Sequence, residues 1–441
     1  MAFLIIKYSI KKILPSKAWK FFKRIYYFFP YIYDSFYYRS VQWRYKGIVK
    51  RIRKRDKIKV AFLLIHEAVW KYEGVYRLME QDERFEPVVV VCPYIVYGEE
   101  TMLREMDQAL RTFSDRGYNV IETYNGETRE WLDIKNDIKP DIVFFTNPHP
   151  TITRDEYYIK NFSQTLTCYV PYTFQTTYHY EQNYNRFFHN VLWKAYYQTT
   201  IHQKIAVRYA CNRGRNVIVT GYPCIDRFMD KSITVKSKKK SRAKKKIIWA
   251  PHHTIEGEGM DLNFSNFLRY YNFMVELAKE YGDKLFITFK PHPALRPKLN
   301  KNEIWGIEKT NEYFKFWEKN GFCTLNEGNY QLLFEESDAM IHDCDSFMGE
   351  YLSLNKPVLY TYRDGNVKDR LNEFGKLAYD MHYKAGNESE ILDFIKEVVI
   401  NEMDEMKQLR SDWGKRILVP PNSMTASMNI FVDLKKSLNI N

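Results

Sequence analysis

Short, almost wholly apolar runs recur along the chain, separated by longer stretches in which apolar residues return every three or four positions. The runs Ile58–Ile65, Phe85–Cys92, Asn119–Thr123, Asp141–Phe145, Thr165–Val170 and Asn216–Thr220 predict strands. The segments Glu99–Arg116 and Phe187–Ala210 predict helices between them. Strands without polar alternation, spaced by helices, are the pattern of a parallel sheet covered on both faces. The pattern then repeats. Strands are expected at Ile247–Ala250, Leu285–Lys290, Ala339–Ile341 and Val358–Tyr362, with helices at Phe267–Tyr281 and at Glu390–Ile400, the latter capped by Ser389. Residues 424–438 predict a final amphipathic helix.

These patterns divide the 441 residues into a basic-aromatic arm (1–57), a first Rossmann-like α/β domain (58–235), a Lys-rich linker (236–246), a second Rossmann-like α/β domain (247–415) and a C-terminal helix (416–441). Charge supports the division. The net charge is +13, yet residues 1–58 carry +14 and residues 236–246 carry +8, so the rest is acidic by −9. Such a balance excludes a broad nucleic-acid groove and favours local contact with an anionic surface. In the arm, Phe21, Tyr26, Phe28, Tyr31, Phe36 and Trp43 are interspersed with Lys20, Lys23, Arg24, Arg39 and Arg44. Aromatic rings beside cations suit a membrane interface. No apolar run reaches the roughly 18 residues of a membrane span, so the expected location is peripheral, at the cytoplasmic face of the cell membrane. Six scattered cysteines form no CxxC pair, which argues against a zinc site or a disulfide framework.

Chemistry concentrates where strands are expected to end. Ala339 to Tyr362 reads as a strand, a polar turn (His342 to Ser346), a short helix, a Lys356-Pro357 break and another strand. A turn feeding a helix N-terminus offers N–H groups to an anion. Glu350, four residues after Ser346, can share its side of the helix. A phosphate at Asp343–Ser346 and a ribose hydroxyl on Glu350 would fit a nucleotide diphosphate; the simpler alternative is that Asp345 or Ser346 caps the helix. Two further strands end in Pro251-His252-His253-Thr254 and in Lys290-Pro291-His292-Pro293. In the first domain, His66-Glu67 and Asn147-Pro148-His149-Pro150 follow strands in the same way. Ligands of open α/β sheets bind at such carboxyl ends. Two parallel-sheet domains facing a cleft, with an N-terminal arm, describe a GT-B-like α/β fold.

The three second-domain elements, in this order, resemble those of the CDP-glycerol glycerophosphotransferase family, the teichoic-acid and capsule polymerases and primases. The resemblance covers roughly residues 140–415 and is strongest over 247–362. It departs in two places. Gly221-Tyr222-Pro223-Cys224-Ile225-Asp226 has Cys224 where the family has arginine, and Phe174 to His179 lacks the family's His-Gly pair. The resemblance implies transfer of glycerol phosphate, or a related polyol phosphate, from CDP-glycerol or a similar nucleotide donor. The acceptor would be a lipid-linked or polysaccharide chain, and CMP would be released. It implies His292 as a diphosphate-contacting or acid group with Lys290 in support, and His252, His253 and Thr254 around the phosphates. Asp343 and Ser346 would hold phosphate and Glu350 ribose, with His66 or His149 as base. No metal or cofactor is expected; Asp343-Cys344-Asp345 has metal-pair spacing but lies in the turn. The alternatives are a GT-B glycosyltransferase using a nucleotide sugar and a non-catalytic membrane scaffold.

Overall fold

The computed structural model describes residues 37–229, 244–255, 263–303, 305–318, 320–328 and 330–440. The arm up to residue 36 and the Lys-rich stretch up to residue 243 lie outside the described residues; the last two linker residues, Lys245 and Lys246, open a strand paired with Leu285 and Phe286.

The first domain is one parallel sheet of seven strands in the order β3-β2-β1-β4-β5-β6-β7. The strands are β1 (Ile58–Leu64), β2 (Phe85–Val91), β3 (Val120–Glu122), β4 (Ile142–Phe145), β5 (Leu166–Tyr169), β6 (Lys194–Tyr197) and β7 (Val217–Val219). The second sheet has six parallel strands in the order β10-β9-β8-β11-β12-β13. Its strands are β8 (Lys245–Ala250), β9 (Leu285–Phe289), β10 (Cys323–Leu325), β11 (Ala339–His342), β12 (Val358–Thr361) and β13 (Tyr383–Ala385). Each sheet is doubly wound: β1 lies between β2 and β4, and β8 between β9 and β11. The strand order reverses there, and the loops on either side diverge to leave a crevice at the carboxyl ends.

The central strands are buried on both faces, which is why they read as continuous apolar runs. Aromatic residues fill the layers beneath the helices. Phe62 stacks on Phe144 at 4.9 Å in the first core, and Trp249 on Phe289 at 4.8 Å in the second. Pro87 sits in β2 without disrupting it, because pairing of β2 with β3 begins only at Val89.

Three local expectations are corrected. Phe187–Ala210 is not one helix: a short turn of helix (Phe187–Val191) leads into β6, and a second helix (Thr200–Tyr209) follows, capped by the Thr199 hydroxyl. The edge strands β10 and β13, three residues each, carry too short a pattern to be seen. The helix at Glu388–Asp393 is capped by the Asn387 side chain, which accepts from the Glu390 N–H, rather than by Ser389.

Two terminal pieces pack on the first domain. Residues 37–52 form a helix that buries Val41, Tyr45, Ile48 and Ile52, with Tyr45 Oη donating to the Val191 carbonyl at 2.7 Å, while Trp43 is 76% exposed. The last helix (Ala426–Leu438) returns from the second domain to the first. Asp226 accepts from its first N–H groups, at Ala426 (2.7 Å) and Ser427 (2.8 Å), and Lys435 pairs with Asp82. The polypeptide thus crosses between the domains twice.

The domains also touch directly. The loop after β5 lies along the second domain: Asn372 donates from its backbone to the Thr176 carbonyl and from Nδ2 to the Gln175 carbonyl, and Phe174 stacks on Phe374 at 4.9 Å. Gly349 and Gly375 permit the approach. A Cβ at Gly375 would lie 2.2 Å from the Thr176 carbonyl oxygen, and one at Gly349 would lie 2.6 Å from the Phe174 ring.

Candidate active site

The loops after β8, β9 and β11 meet at the switch point of the second sheet. The β11 turn is held by its first carboxylate. Asp343 is buried and accepts from the His252 N–H at 2.6 Å and the Asn266 N–H at 2.5 Å, so one side chain ties together three segments. Burial raises its pKa to about 7, against the pull of those N–H donors. Asp343 is therefore a clamp inside the protein.

Above the clamp stand three imidazoles. Ring centroids are 4.2 Å apart for His252 and His253, 4.3 Å for His253 and His292, and 5.1 Å for His252 and His292. Desolvation, reinforced by neighbouring cations and imidazoles, holds His252 and His292 well below the usual histidine range, so both are neutral. Their hydrogen bonds then define the tautomer. His292 Nδ1 accepts the Ala294 N–H at 3.1 Å. Thr254 Oγ1 accepts from the N–H groups of Phe264 and Ser265, so its own proton is directed to His252 Nδ1 at 3.0 Å. With each Nδ1 an acceptor, each Nε2 carries the proton. A metal-bound histidine shows the reverse pattern, its second nitrogen donating to an acceptor. His252, His253 and His292 lie close enough to share an ion, but the first and third present N–H donors, which suit an anion. Lys290, buried beside them, has its pKa lowered to about 8 by desolvation, partly offset by Glu327 and other acidic neighbours.

Thr254 acts through His252, its hydroxyl being committed within the loop. The β11 turn likewise engages its own groups, burying Asp343 and Cys344 and leaving Asp345 and Ser346 partly exposed. Asp345 accepts from the Ser346 N–H, and the Ser346 hydroxyl lies 2.6 Å from Cys344 Sγ. The following helix, Phe347–Glu350, is a single turn. The alternative reading, a side chain capping this helix, does not hold either: Ser346 stands at the N-cap position without a capping side-chain hydrogen bond, and it is the Asp345 backbone carbonyl that accepts from the Met348 N–H.

Glu350 is drawn into a different cluster, between the domains. Tyr222 Oη donates to it at 3.2 Å and Tyr330 Oη at 2.5 Å; Lys71 Nζ lies 3.9 Å away and donates to Tyr330 Oη at 2.5 Å. Cys224 Sγ is also in contact, 3.6 Å from Glu350. Both carboxylate oxygens are engaged by protein, and a ribose reaching Glu350 would replace one of the tyrosines. Lys71, with no motif around it in sequence, supplies the cation here beside Cys224.

From the first domain, the loop after β1 faces this edge. His66 is near enough to His292 to depress its pKa, and Glu67 near enough to Lys290 to raise its pKa. His66 itself falls to about 4, through desolvation and then Lys71. His149, after β4, also falls to about 4, through desolvation and Arg186, and its ring lies 6.4 Å from that of Tyr172. Tyr172 in turn is near Asp345. Sequence reading passes over Lys71 and Tyr172, and treats Asp345 only as part of the anion turn or as a cap for its helix. A cavity of about 350 Å³ adjoins Asn266, lined by Ile255, Ser265, Arg269 and Arg363.

Two doubly wound domains with their polar loops meeting across a cleft define a GT-B-like fold. Solved structures agree in fold. The Staphylococcus aureus MnaA–UDP complex superimposes with a TM-score of 0.55 at 18% identity, covering 87% of this chain and 98% of that one. The wall teichoic acid polymerase TagF gives 0.54 at 12%, covering 95% and 98%. The Neisseria meningitidis UDP-GlcNAc 2-epimerase bound to UDP-GlcNAc gives 0.53 at 18%, covering 86% and 100%. Among curated proteins, no sequence match reaches significance. The family model for CDP-glycerol:poly(glycerophosphate) glycerophosphotransferase matches residues 174–404, just over half of the chain. The chain belongs to that family and is a transferase.

Proposed function

We propose that the protein transfers glycerol phosphate, or a close polyol phosphate, from a CDP-activated donor to a hydroxyl of a teichoic-acid-like or other surface polysaccharide, releasing CMP. The observation that carries this reading is the pair of Nε2–H donors, His252 and His292, set beside Lys290 at the switch point of the second sheet. Three donors converging on one crevice, in a partly dehydrated setting, would bind a diphosphate and stabilise charge as the P–O bond breaks. Family membership adds the donor class, and TagF has been solved with CDPG soaked in.

In this reading His292 and Lys290 contact the diphosphate directly, with His252 and His253 beside them. Ser346 offers its hydroxyl at the edge of the turn. The Arg269 and Arg363 cavity lies at the same edge, where a nucleotide's remaining groups would extend. His66 and His149, neutral at pH 7, line the acceptor side. Glu350 reaches ribose only by exchanging a tyrosine partner, which makes Glu350→Gln informative: it weakens CDP binding more than pyrophosphate binding if the exchange occurs. The basic-aromatic arm would hold the enzyme at an anionic membrane carrying the acceptor; among the described residues no helix is long and apolar enough to cross a membrane.

A donor panel tests the reading. CDP-glycerol, CDP-ribitol, UDP-GlcNAc and a CMP-sugar are incubated with the full chain and a synthetic glycerol phosphate dimer, and free nucleotide is measured. CMP from a CDP-polyol is the expected result. Nucleotide released only from a sugar donor would reassign the protein as a glycosyltransferase, a reading that the fold likeness to UDP-bound enzymes keeps in the panel.

A further inference from the structure

We propose that Asp345 is the general base of this transferase, taking the proton of the acceptor hydroxyl at the seam between the two domains. The inference rests on the glycerophosphate-transfer reading above. Within the β11 turn Asp343 and Cys344 are buried, whereas the Asp345 side chain is 28% exposed and stands at the cleft. His252 Nε2, whose proton is directed outward by the tautomer, lies 3.9 Å from Asp345 Oδ1. Tyr172 approaches from the first domain. The turn is gripped from that same domain: Thr176 Oγ1 donates to the Asp345 carbonyl at 3.4 Å and Thr173 Oγ1 to the Ser346 carbonyl at 3.1 Å. The acceptor-side loop therefore sets the position of this carboxylate.

The alternatives are weaker bases. His66 and His149 are both lowered to about 4 by desolvation, and His292 is likewise held well below the usual histidine range. Asp345 is raised to about 6 by desolvation, against the pull of its own and the Ser346 N–H groups. A base works best with a pKa near the working pH. Its charged and titratable neighbours are His252, Tyr172, Cys344 and Tyr360. Of these the thiol and the phenols are raised and His252 lowered; Asp343 in the same turn changes charge near pH 7 but is buried as the clamp, so Asp345 is the partly exposed group of the turn that changes charge near pH 6.

The step balances without a co-reactant. The acceptor O–H bond breaks and its proton passes to Asp345. The acceptor oxygen forms a bond to the phosphorus bearing glycerol. The bond from that phosphorus to the bridging oxygen breaks, and CMP leaves with the electron pair, stabilised by Lys290 and the His292 Nε2–H.

The test uses the full chain, CDP-glycerol and the glycerol phosphate dimer. Asp345→Asn should lower kcat about 10²- to 10⁴-fold while the calorimetric Kd for CDP-glycerol stays within about twofold, which also certifies the fold. The acid limb of the wild-type kcat profile, centred near pH 6, should vanish in this variant, and Asp345→Glu should restore part of the rate. An Asp345→Asn enzyme with kcat within about fivefold of wild type would overturn the proposal while leaving the transfer reading intact. So would a loss confined to donor affinity. A wild-type chain that releases CMP from no CDP-polyol would defeat both.

Discussion

The two domains share one topology and treat their cleft edges differently. In the second domain the site is built from tightly tied loops: one buried carboxylate, Asp343, holds the loop after β8 and the segment before the helix Phe267–Glu280, and backbone N–H groups set the tautomers of its imidazoles. In the first domain the edge residues are spent on contact with the partner domain. Lys71 and Tyr222 embrace Glu350, Phe174 stacks on Phe374, and Thr173 and Thr176 grip the β11 turn. On the proposed reading, one domain supplies chemistry and the other supplies position. A doubly wound sheet permits this split because its crevice needs only loop residues, whose identity the core does not constrain.

The division is broken or sharpened by five measurements, from the largest expected effect downward. His292→Ala should reduce kcat/KM by about 10²-fold or more, as loss of a donor to developing charge does, with unfolding in urea little changed. If His66→Ala cost as much, the chemistry would be shared equally between the domains. Lys71→Met leaves Glu350 buried without its cation and should cost about 3 kcal/mol in urea unfolding. The pair Lys71→Met with Glu350→Gln should recover part of that loss, and an unchanged midpoint for the single variant would show that the cluster does not hold the domains together. Gly375→Ala drives a methyl into the Thr176 carbonyl and should cost roughly 1–3 kcal/mol by overpacking, with turnover falling because the Asp345 turn loses its support from the first domain.

Acid should weaken the fold, and the sign can be worked through. His189, His202 and His342 are lowered to about 3 by desolvation, and His252, His292 and His382 lie well below the usual value. In the unfolded chain each binds a proton near pH 6.5, so the unfolded state holds more protons and stability falls as pH drops from about 6.5 toward 3. Asp343 and Asp345 act oppositely, being raised to about 7 and 6. Between their unfolded value near 3.9 and those values they favour the fold as pH falls. With His66 and His149, lowered to about 4, eight imidazoles outweigh the raised carboxyls, which also include Asp141, Asp226 and Glu105, and Tm should decline below about pH 6; a Tm that rises on acidification would show that the carboxyls dominate.

The smallest effect concerns the arm. Because residues 37–52 are docked on the first domain, the informative truncation begins at residue 37. It removes seven Lys/Arg of the arm, each contributing about 1 kcal/mol near an anionic surface. Sedimentation with acidic liposomes should fall for the shortened chain and, for the full chain, should weaken in high salt. Equal, salt-insensitive binding by both would place the membrane contact elsewhere.

Sequence by itself determined the architecture. Apolar runs such as Val88–Val91 and Ile247–Ala250 have to be buried on both faces, and helices between them force parallel pairing, so two doubly wound sheets followed from pattern alone. It also placed His252, Lys290, His292 and Asp343 together, because each follows a strand and strand ends converge at a switch point. What pattern could not carry was decided in three dimensions. β6 was hidden because Lys194-Ala195-Tyr196-Tyr197 offers no apolar run; its burial comes from partners such as Asp433, brought by the returning C-terminal helix. Lys71 meets Glu350 across 279 positions of chain, and Asp345 meets His252 across 93. Nothing local marks either pair. The turn that sequence read as a single anion cradle divides for the same reason, with Asp343 and Cys344 buried and Asp345 left partly exposed: spacing shows which residues are neighbours on a loop, whereas which of them faces inward depends on what packs against it.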